Sequence, residues 1–250
     1  MDWTEEAVIL SARPHGESAA ILSVLTAGHG RHAGLVRGGN GRRLRGVLQP
    51  GNEVVATWRA RLAEHLGNFT VEPLRLQTAR LLDSPDPLSA LAAAAAVTDT
   101  ALPEREPHPA LYRALLALTA ALADEPLWPA VYVRYELGLL AELGFALDLS
   151  ACAATGATTE LAYVSPRTGR AVSVGAGQPY AERMLRCPPF LTGAGETLSW
   201  GDVLDGLKLT GFFLERQVYL PAGHHEPAAR TRFVDRVARK PTTSGVTSDS

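Results

Sequence analysis

Turn residues divide the first 80 residues of this 250-residue chain into short extended segments, and the pattern ends near Leu81. Glycine, proline and asparagine cluster between the segments, as in a small all-β barrel or sandwich. Five strands are predicted, at residues 7–13, 18–25, 31–37 and 53–61 and from residue 69 onward. In the fourth segment Val54, Ala56 and Trp58 form one face toward the core, and the opposite face carries Val55, Thr57, Arg59 and Arg61, so the basic residues share a surface.

Helical spacing replaces this punctuation after Leu81. Helices are predicted from Pro85-Asp86-Pro87 to Thr100, with Asp86 as the cap, from Pro109 to Ala123, from Pro126 or Pro129 to Gly144, and again from Tyr180, most clearly over 200–220 and 227–239. Residues rich in Thr, Gly and Ser between these helices favour an inserted hairpin. We therefore expect a barrel at 1–80, a helical domain at 81–240 with the hairpin at 148–178, and a disordered tail at 241–250.

The net charge of −2 conceals a strong asymmetry along the chain. Residues 31–61 contain seven arginines and a single acidic residue, Glu53, whereas residues 81–147 carry a net negative charge. Local charge decides where a polyanion binds, so the neutral total does not exclude a nucleic-acid partner. The seven candidate DNA contacts are Arg37, Arg42, Arg43 and Arg45 in a Gly-rich loop, and Arg31, Arg59 and Arg61 on strands.

Two interpretations of these arginines stay open. They either form a solubilising surface that reflects arginine-rich composition, or they follow a phosphate backbone on a barrel of the OB type. A second basic run, formed by Arg230, Arg232, Arg236, Arg239 and Lys240, either extends that surface or complements the end of the last helix.

The motifs of nucleotide and metal enzymes are missing from the sequence. Gly38-Gly39-Asn40-Gly41 lacks the lysine and hydroxyl of a phosphate loop, and His29 and His32 have no neighbouring ligands for a metal. No acid-base pair can be nominated, so we expect neither an enzyme nor a cofactor, although a hydrolase with a dispersed site stays conceivable. Two cysteines, no leader and no long apolar stretch favour a cytoplasmic, nucleoid-associated protein without membrane contact.

Several segments in order along the chain carry a family resemblance. They include Val8-Ile9-Leu10, Gly34-Leu35-Val36-Arg37-Gly38-Gly39, the stretch Arg42 to Gly51, Arg134-Tyr135-Glu136-Leu137, Leu140 to Gly144, Leu147 to Cys152 and Tyr163 to Gly169. With these segments the sequence resembles the bacterial RecO family of recombination mediators. The resemblance implies an α+β protein: a five-stranded N-terminal OB-fold β-barrel, then an α-helical domain with a zinc-finger-like insertion.

The resemblance also implies function and partners. Such proteins bind single- and double-stranded DNA, anneal complementary strands, and with RecR load RecA onto DNA coated by single-strand-binding protein (SSB). They also dock the acidic, hydrophobic C-terminal tail of SSB in the helical domain, for which Arg134 and Tyr135 are the candidate contacts. Alternatively, Arg134 pairs with a local carboxylate such as Glu136 or Glu142.

In one respect the sequence departs from zinc-binding members of the family. At the four positions where they carry cysteines, this chain has Cys152, Thr155, Ser173 and Ala176. One thiol cannot hold a structural zinc, so we expect a degenerate, metal-free insertion that is held by packing of Leu161 and Tyr163. Two functional alternatives to the mediator also stay open: an RNA-binding OB protein, and a protein-interaction module without recombination activity.

Overall fold

The computed structural model describes residues 1–194, 197–242 and 246. The chain divides into two compact units, Met1–Asp124 and Glu125–Ser250. The first unit therefore contains two long helices in addition to the barrel, and the domain boundary predicted after residue 80 stays a prediction.

A closed five-stranded barrel forms the start of the first unit. Its strands lie in the order β1-β2-β3-β5-β4. Their bounds are β1 (Asp2–His15), β2 (Ala19–Thr26), β3 (Gly30–Val36), β4 (Glu53–Arg59) and β5 (Asn68–Arg75). Neighbours pair antiparallel except β3 and β5, which close the barrel in parallel at Leu35 and Asn68. The five-stranded OB-fold is confirmed, although β1 begins five residues earlier than the predicted Ala7.

The barrel interior holds the alternate apolar residues of each strand. Ile9, Leu22, Val24, Val54 and Ala56 are fully buried there. The alternation predicted for β4 is confirmed, since Val54, Ala56 and Trp58 are buried whereas Arg59 is exposed. Successive side chains of a strand point to opposite faces, so strands with alternating apolar and polar residues can enclose one apolar core and keep polar residues outside.

Four helices that the structure describes complete the first unit: α1 (Arg42–Arg45), α2 (Gln77–Arg80), α3 (Pro85–Ala101) and α4 (Pro109–Asp124). The small alanine side chains of α3 are buried and let it pack closely on β1. Near its end Asp99 accepts hydrogen bonds from Ser11 at 2.8 Å and Ser23 at 2.6 Å, which ties α3 to the barrel. Asp86 is not the cap: Ser84 occupies that position, and Asp86 lies in the first turn, where a carboxylate favours the helix dipole.

The second unit combines helices with a three-stranded sheet. The helices are α5 (Trp128–Glu142), α6 (Val174–Gly177), α7 (Pro189–Thr192), α8 (Trp200–Phe213) and α9 (Ala228–Ala238). The strands are β6 (Leu161–Val164), β7 (Ala171–Ser173) and β8 (Leu185–Arg186), in the order β7-β6-β8. The helix predicted from Tyr180 is wrong, because Gln178–Arg183 forms a 3₁₀ helix that leads into β8.

A buried ion pair joins three helices of this unit. The Arg230 guanidinium on α9, 2% exposed, donates to both carboxylate oxygens of Glu136 on α5, at 2.7 and 2.8 Å, and to the Leu207 carbonyl on α8. The Tyr132 hydroxyl donates to the same carboxylate at 2.9 Å, and burial raises the pKa of Tyr132. Of the second basic run, for which two interpretations were left open, Arg230 therefore lies in the core and pairs with Glu136.

Two further predictions concern the end of the chain and the membrane. Most of the tail predicted as disordered, 241–250, lies outside the described residues, which include only 241, 242 and 246 of it. Among the described residues no helix is long and apolar enough to cross a membrane.

Candidate nucleic-acid interface

Three of the seven candidate arginines line one groove on the barrel surface. Arg37 follows the end of β3, Arg43 lies on a short helical turn, and Arg59 ends β4. The cavity between them has a volume of about 650 Å³. We call it the arginine groove. Its other lining residues are Val36, Gly38, Leu44, Asn68, Phe69, Thr70 and Val71.

The segment that carries Arg43 forms a short helical turn where the sequence predicts a Gly-rich loop, and its own contacts hold it on the barrel. Arg42–Arg45 forms one helical turn, α1, which continues through a 2.8 Å hydrogen bond from the Leu48 amide to the Leu44 carbonyl. Leu44 packs against the barrel core, and the Asn52 side chain donates to the Gly46 and Val47 carbonyls, each at 3.0 Å. Leu44 and the Asn52 side chain thus hold the turn on the barrel, and the arginines of the turn stay exposed to solvent.

The electrostatics of the arginine groove favour an anion. The groove-lining residues that the structure describes include no carboxylate. Asp2 approaches Arg59 from outside at 3.8 Å, but both side chains are more than two-thirds exposed, and such a pair is worth little in water. Three guanidinium groups from three separate elements thus line the arginine groove with little internal neutralisation.

The other four candidates lie elsewhere. Arg45 lines a smaller neighbouring pocket of about 270 Å³ together with Asn40 and Gln49. Arg42 and Arg61 are exposed but line neither cavity. Arg31 is mostly buried at 19% side-chain exposure and donates to the Leu102 carbonyl at 2.8 Å.

Arg31 stabilises the fold through ion pairs within the first unit. Its guanidinium lies 3.6 Å from Asp99 and 3.5 Å from Glu104, so it joins β3 to the end of α3. The alternation of β3 that the sequence suggests does not reveal these contacts, because both carboxylates belong to a segment some 70 residues further along the chain.

An aromatic cluster beside the groove was not predicted as a site. Trp3 on β1 stacks on His29 at 4.3 Å between ring centroids, and His32 on β3 meets Trp58 edge to face at 4.7 Å. His29 and His32 do lie in a turn and a barrel strand, as the sequence indicates. Trp3 was missed because β1 was predicted to start after it, although Trp3 pairs directly with Trp58 across the strands.

The two candidate partner contacts on α5 differ from each other. Arg134 is exposed, donates to the Phe190 carbonyl at 2.6 Å and lies 5.8 Å above the Phe190 ring. Tyr135 is 3% exposed and belongs to the core. Glu136, the suggested alternative partner of Arg134, binds Arg230 instead.

The insertion is built around its one remaining thiol. The Cys152 sulfur accepts hydrogen bonds from the Ser173 amide at 3.2 Å and hydroxyl at 3.3 Å, so these two finger positions are indeed neighbours. Leu161 and Tyr163 pack on Cys152, as predicted. Within the described part of the chain no group of three or more His, Cys, Asp or Glu side chains could hold a metal ion.

Fold and groove together define an OB-fold protein whose barrel carries a basic groove and whose C-terminal part is helical. The family descriptions "Recombination protein O N terminal" and "Recombination protein O C terminal" match residues 1–76 and 82–226. The chain is 56% identical over 249 residues to the DNA repair protein RecO of Rhodospirillum centenum, covering 99% of each chain. It is 52% identical over 245 residues to that of Rhodospirillum rubrum, covering 96% of this chain and 97% of the other. The chain therefore belongs to the RecO family.

Proposed function

We propose that this chain is a DNA-binding recombination mediator in DNA repair and that the arginine groove binds the phosphate backbone. One observation supports the proposal most strongly: Arg37, Arg43 and Arg59 line the arginine groove together, and none of its described lining residues carries a carboxylate. Guanidinium groups suit this role because they stay charged and donate several hydrogen bonds to phosphate oxygens. Arg42, Arg45 and Arg61, exposed beside the groove, are proposed as secondary contacts. Arg31 is left out, because its charge is already paired inside the fold.

Backbone binding of this kind accounts for both DNA forms and for annealing. Phosphate contacts carry no sequence information and leave the base edges free to pair. A basic surface also lowers the repulsion between two strands that approach each other. We propose accordingly that the chain binds single- and double-stranded DNA and anneals complementary strands.

The partners follow from family membership and are proposals for this chain. RecO-type mediators act with RecR to load RecA onto SSB-coated strands, in the cytoplasm and at the nucleoid. For the acidic tail of SSB, the observation that favours a site is the exposed Arg134 guanidinium above the Phe190 ring, which pairs a cation with an aromatic surface. Tyr135, being buried, would position α5 without touching the tail.

A binding titration at about 50 mM salt, where phosphate contacts are strongest, tests the DNA proposal. Labelled single-stranded DNA, duplex DNA and RNA of the same sequence are compared by fluorescence anisotropy. The proposal expects binding of both DNA forms. The absence of any binding would favour a protein-interaction module, and a clear preference for RNA would favour an RNA-binding OB protein.

The SSB-tail site is tested with a fluorescent peptide of the SSB C-terminus. Arg134→Ala should weaken peptide binding several-fold and leave DNA affinity unchanged. Arg113→Ala, which removes an exposed arginine of α4, is the matched control. Equal peptide affinity of both variants would remove Arg134 from the proposal.

A further inference from the structure

A second cavity, at one end of the barrel, has an aromatic lining. It has a volume of about 470 Å³ and is lined mainly by Trp3, His29, His32, Trp58 and Arg105. Its lining is mostly apolar, so it differs in chemistry from the arginine groove. We call it the aromatic pocket. Its volume lies within the usual range for pockets that hold small organic groups.

His32 is the unusual member of this lining. It is 4% exposed, yet neither of its ring nitrogens has a hydrogen-bond partner among the described residues. Buried polar side chains are nearly always hydrogen-bonded, because leaving them unpaired costs free energy. An unsatisfied imidazole in the wall of a pocket therefore points to a ligand that would satisfy it.

The protonation state of His32 narrows the chemistry of that ligand. Burial, followed by the positive charge of Arg105 and by His29, lowers the pKa of His32 to about 4. The neutral ring at pH 7 offers one N–H donor and one acceptor nitrogen. The two nitrogens point away from each other, so one ligand group pairs with only one of them, and a nucleobase edge, which carries both donors and acceptors, can pair with whichever nitrogen faces the pocket.

The other walls suit a planar group as well. Trp3 and His29 are partly exposed and offer aromatic surfaces on which flat rings stack or make edge contacts, and the buried Trp58 lies behind them. The Arg105 guanidinium is not free to bind a phosphate, because it donates hydrogen bonds to the carbonyls of Ala63 at 2.6 Å and His65 at 2.9 Å. The 60–67 loop thereby forms a fixed rim. Gly67 ends this rim with a positive φ of 67°, and a methyl group there would collide with the Trp58 indole.

The pocket and the arginine groove are neighbours. Phe69 lines the groove and also packs edge to face on Trp3, at 5.7 Å, and on His32, at 6.2 Å. Trp58 in the pocket directly precedes Arg59 in the groove along β4. A strand whose phosphates lie in the groove thus passes next to the pocket.

From these observations we infer that the aromatic pocket binds one unstacked nucleobase of a single strand held in the arginine groove, with His32 hydrogen-bonding its edge. The inference rests on the proposed DNA binding and adds a base-binding site to it. A strand held by one base and several phosphates keeps its remaining bases available for pairing, as annealing requires.

The test compares a single-stranded oligonucleotide with a fully abasic strand of the same length and charge. We expect the abasic strand to bind roughly tenfold more weakly, as for the loss of one stacked base. In His32→Phe, which keeps the ring and loses the hydrogen bond, this ratio should shrink several-fold, as for the loss of one hydrogen bond. His15→Phe, at an exposed position on β1 outside the pocket, should keep the ratio of the unaltered protein.

A second readout needs no variant of the pocket. The base-bearing strand should quench the tryptophan fluorescence of the unaltered protein, whereas the abasic strand should leave it unchanged. Equal affinity for the two strands, or equal quenching, would overturn the base pocket while leaving phosphate binding intact. If neither strand bound, the proposed DNA binding would be overturned together with this inference. An aromatic peptide that quenches in place of the base-bearing strand would assign the pocket to a protein partner and overturn the inference.

Discussion

The arginine groove makes a quantitative prediction about salt. Each phosphate contact on a single strand releases counterions and contributes about 0.7 to the slope of log affinity against log salt. Replacing Arg37, Arg43 and Arg59 together by glutamine removes all three groove cations and should lower that slope by about 2. Between 50 and 200 mM salt this means that the unaltered protein loses about 20-fold more affinity than the variant does. Asp2 changes this little, since its pairing with Arg59 is exposed to solvent.

The assay is fluorescence anisotropy of a labelled oligonucleotide at four or more salt concentrations, and it needs a control of equal charge. Arg113, Arg167 and Arg183 are exposed arginines outside the groove, so their combined replacement by glutamine changes the net charge by the same amount. The control should keep the slope of the unaltered protein. If both triple variants lowered the slope equally, the affinity would reflect total charge, and the argument for a groove would be refuted.

Three further predictions concern the rest of the molecule. Arg230→Met leaves the Glu136 carboxylate buried without its cation, so the free energy of unfolding measured in urea should fall by about 3–5 kcal/mol. The double variant that also carries Glu136→Leu should recover much of this loss. An unchanged unfolding midpoint in Arg230→Met would contradict the buried pair. The pKa of His32 is about 4 in the folded protein and about 6.5 in the unfolded chain, so between these pH values only the unfolded chain binds the proton. The free energy of unfolding should therefore decrease by up to about 3 kcal/mol as the pH falls from 6.5 to 4. His32→Phe should lack this decrease. Since Cys152 is the one thiol of the insertion, elemental analysis of the purified protein should find no stoichiometric zinc, and one zinc per chain would refute the metal-free insertion.

Local patterns were sufficient for the barrel and for most helices. Turn residues and period-two alternation predicted five strands because both are set by near neighbours in the chain, and Trp58 was correctly assigned to the core. Helix bounds near Pro85, Pro109 and Gly144 also followed from local signals. In each case the pattern that predicts the element lies within the element itself or at its ends.

The candidate site was predictable only in part, because its geometry depends on contacts that are distant in sequence. Arginine density identified the right segment, but charge alone could not separate Arg43 in the groove from Arg31, which pairs with Asp99 on α3. The burial of Arg230 could not be predicted for the same reason, since its partner Glu136 lies 94 residues away. The aromatic pocket was missed because Trp3 precedes the predicted first strand.

Strand annealing on SSB-coated DNA tests the central claim most directly, because it measures the proposed activity as well as binding. Two complementary labelled oligonucleotides are coated with SSB and mixed with the purified protein, and duplex formation is followed by energy transfer. The account predicts that the protein accelerates annealing well above the rate with SSB alone, and that replacing Arg37, Arg43 and Arg59 removes most of this acceleration while the control triple variant retains it. An annealing rate equal to that of SSB-coated strands without the protein would contradict the account.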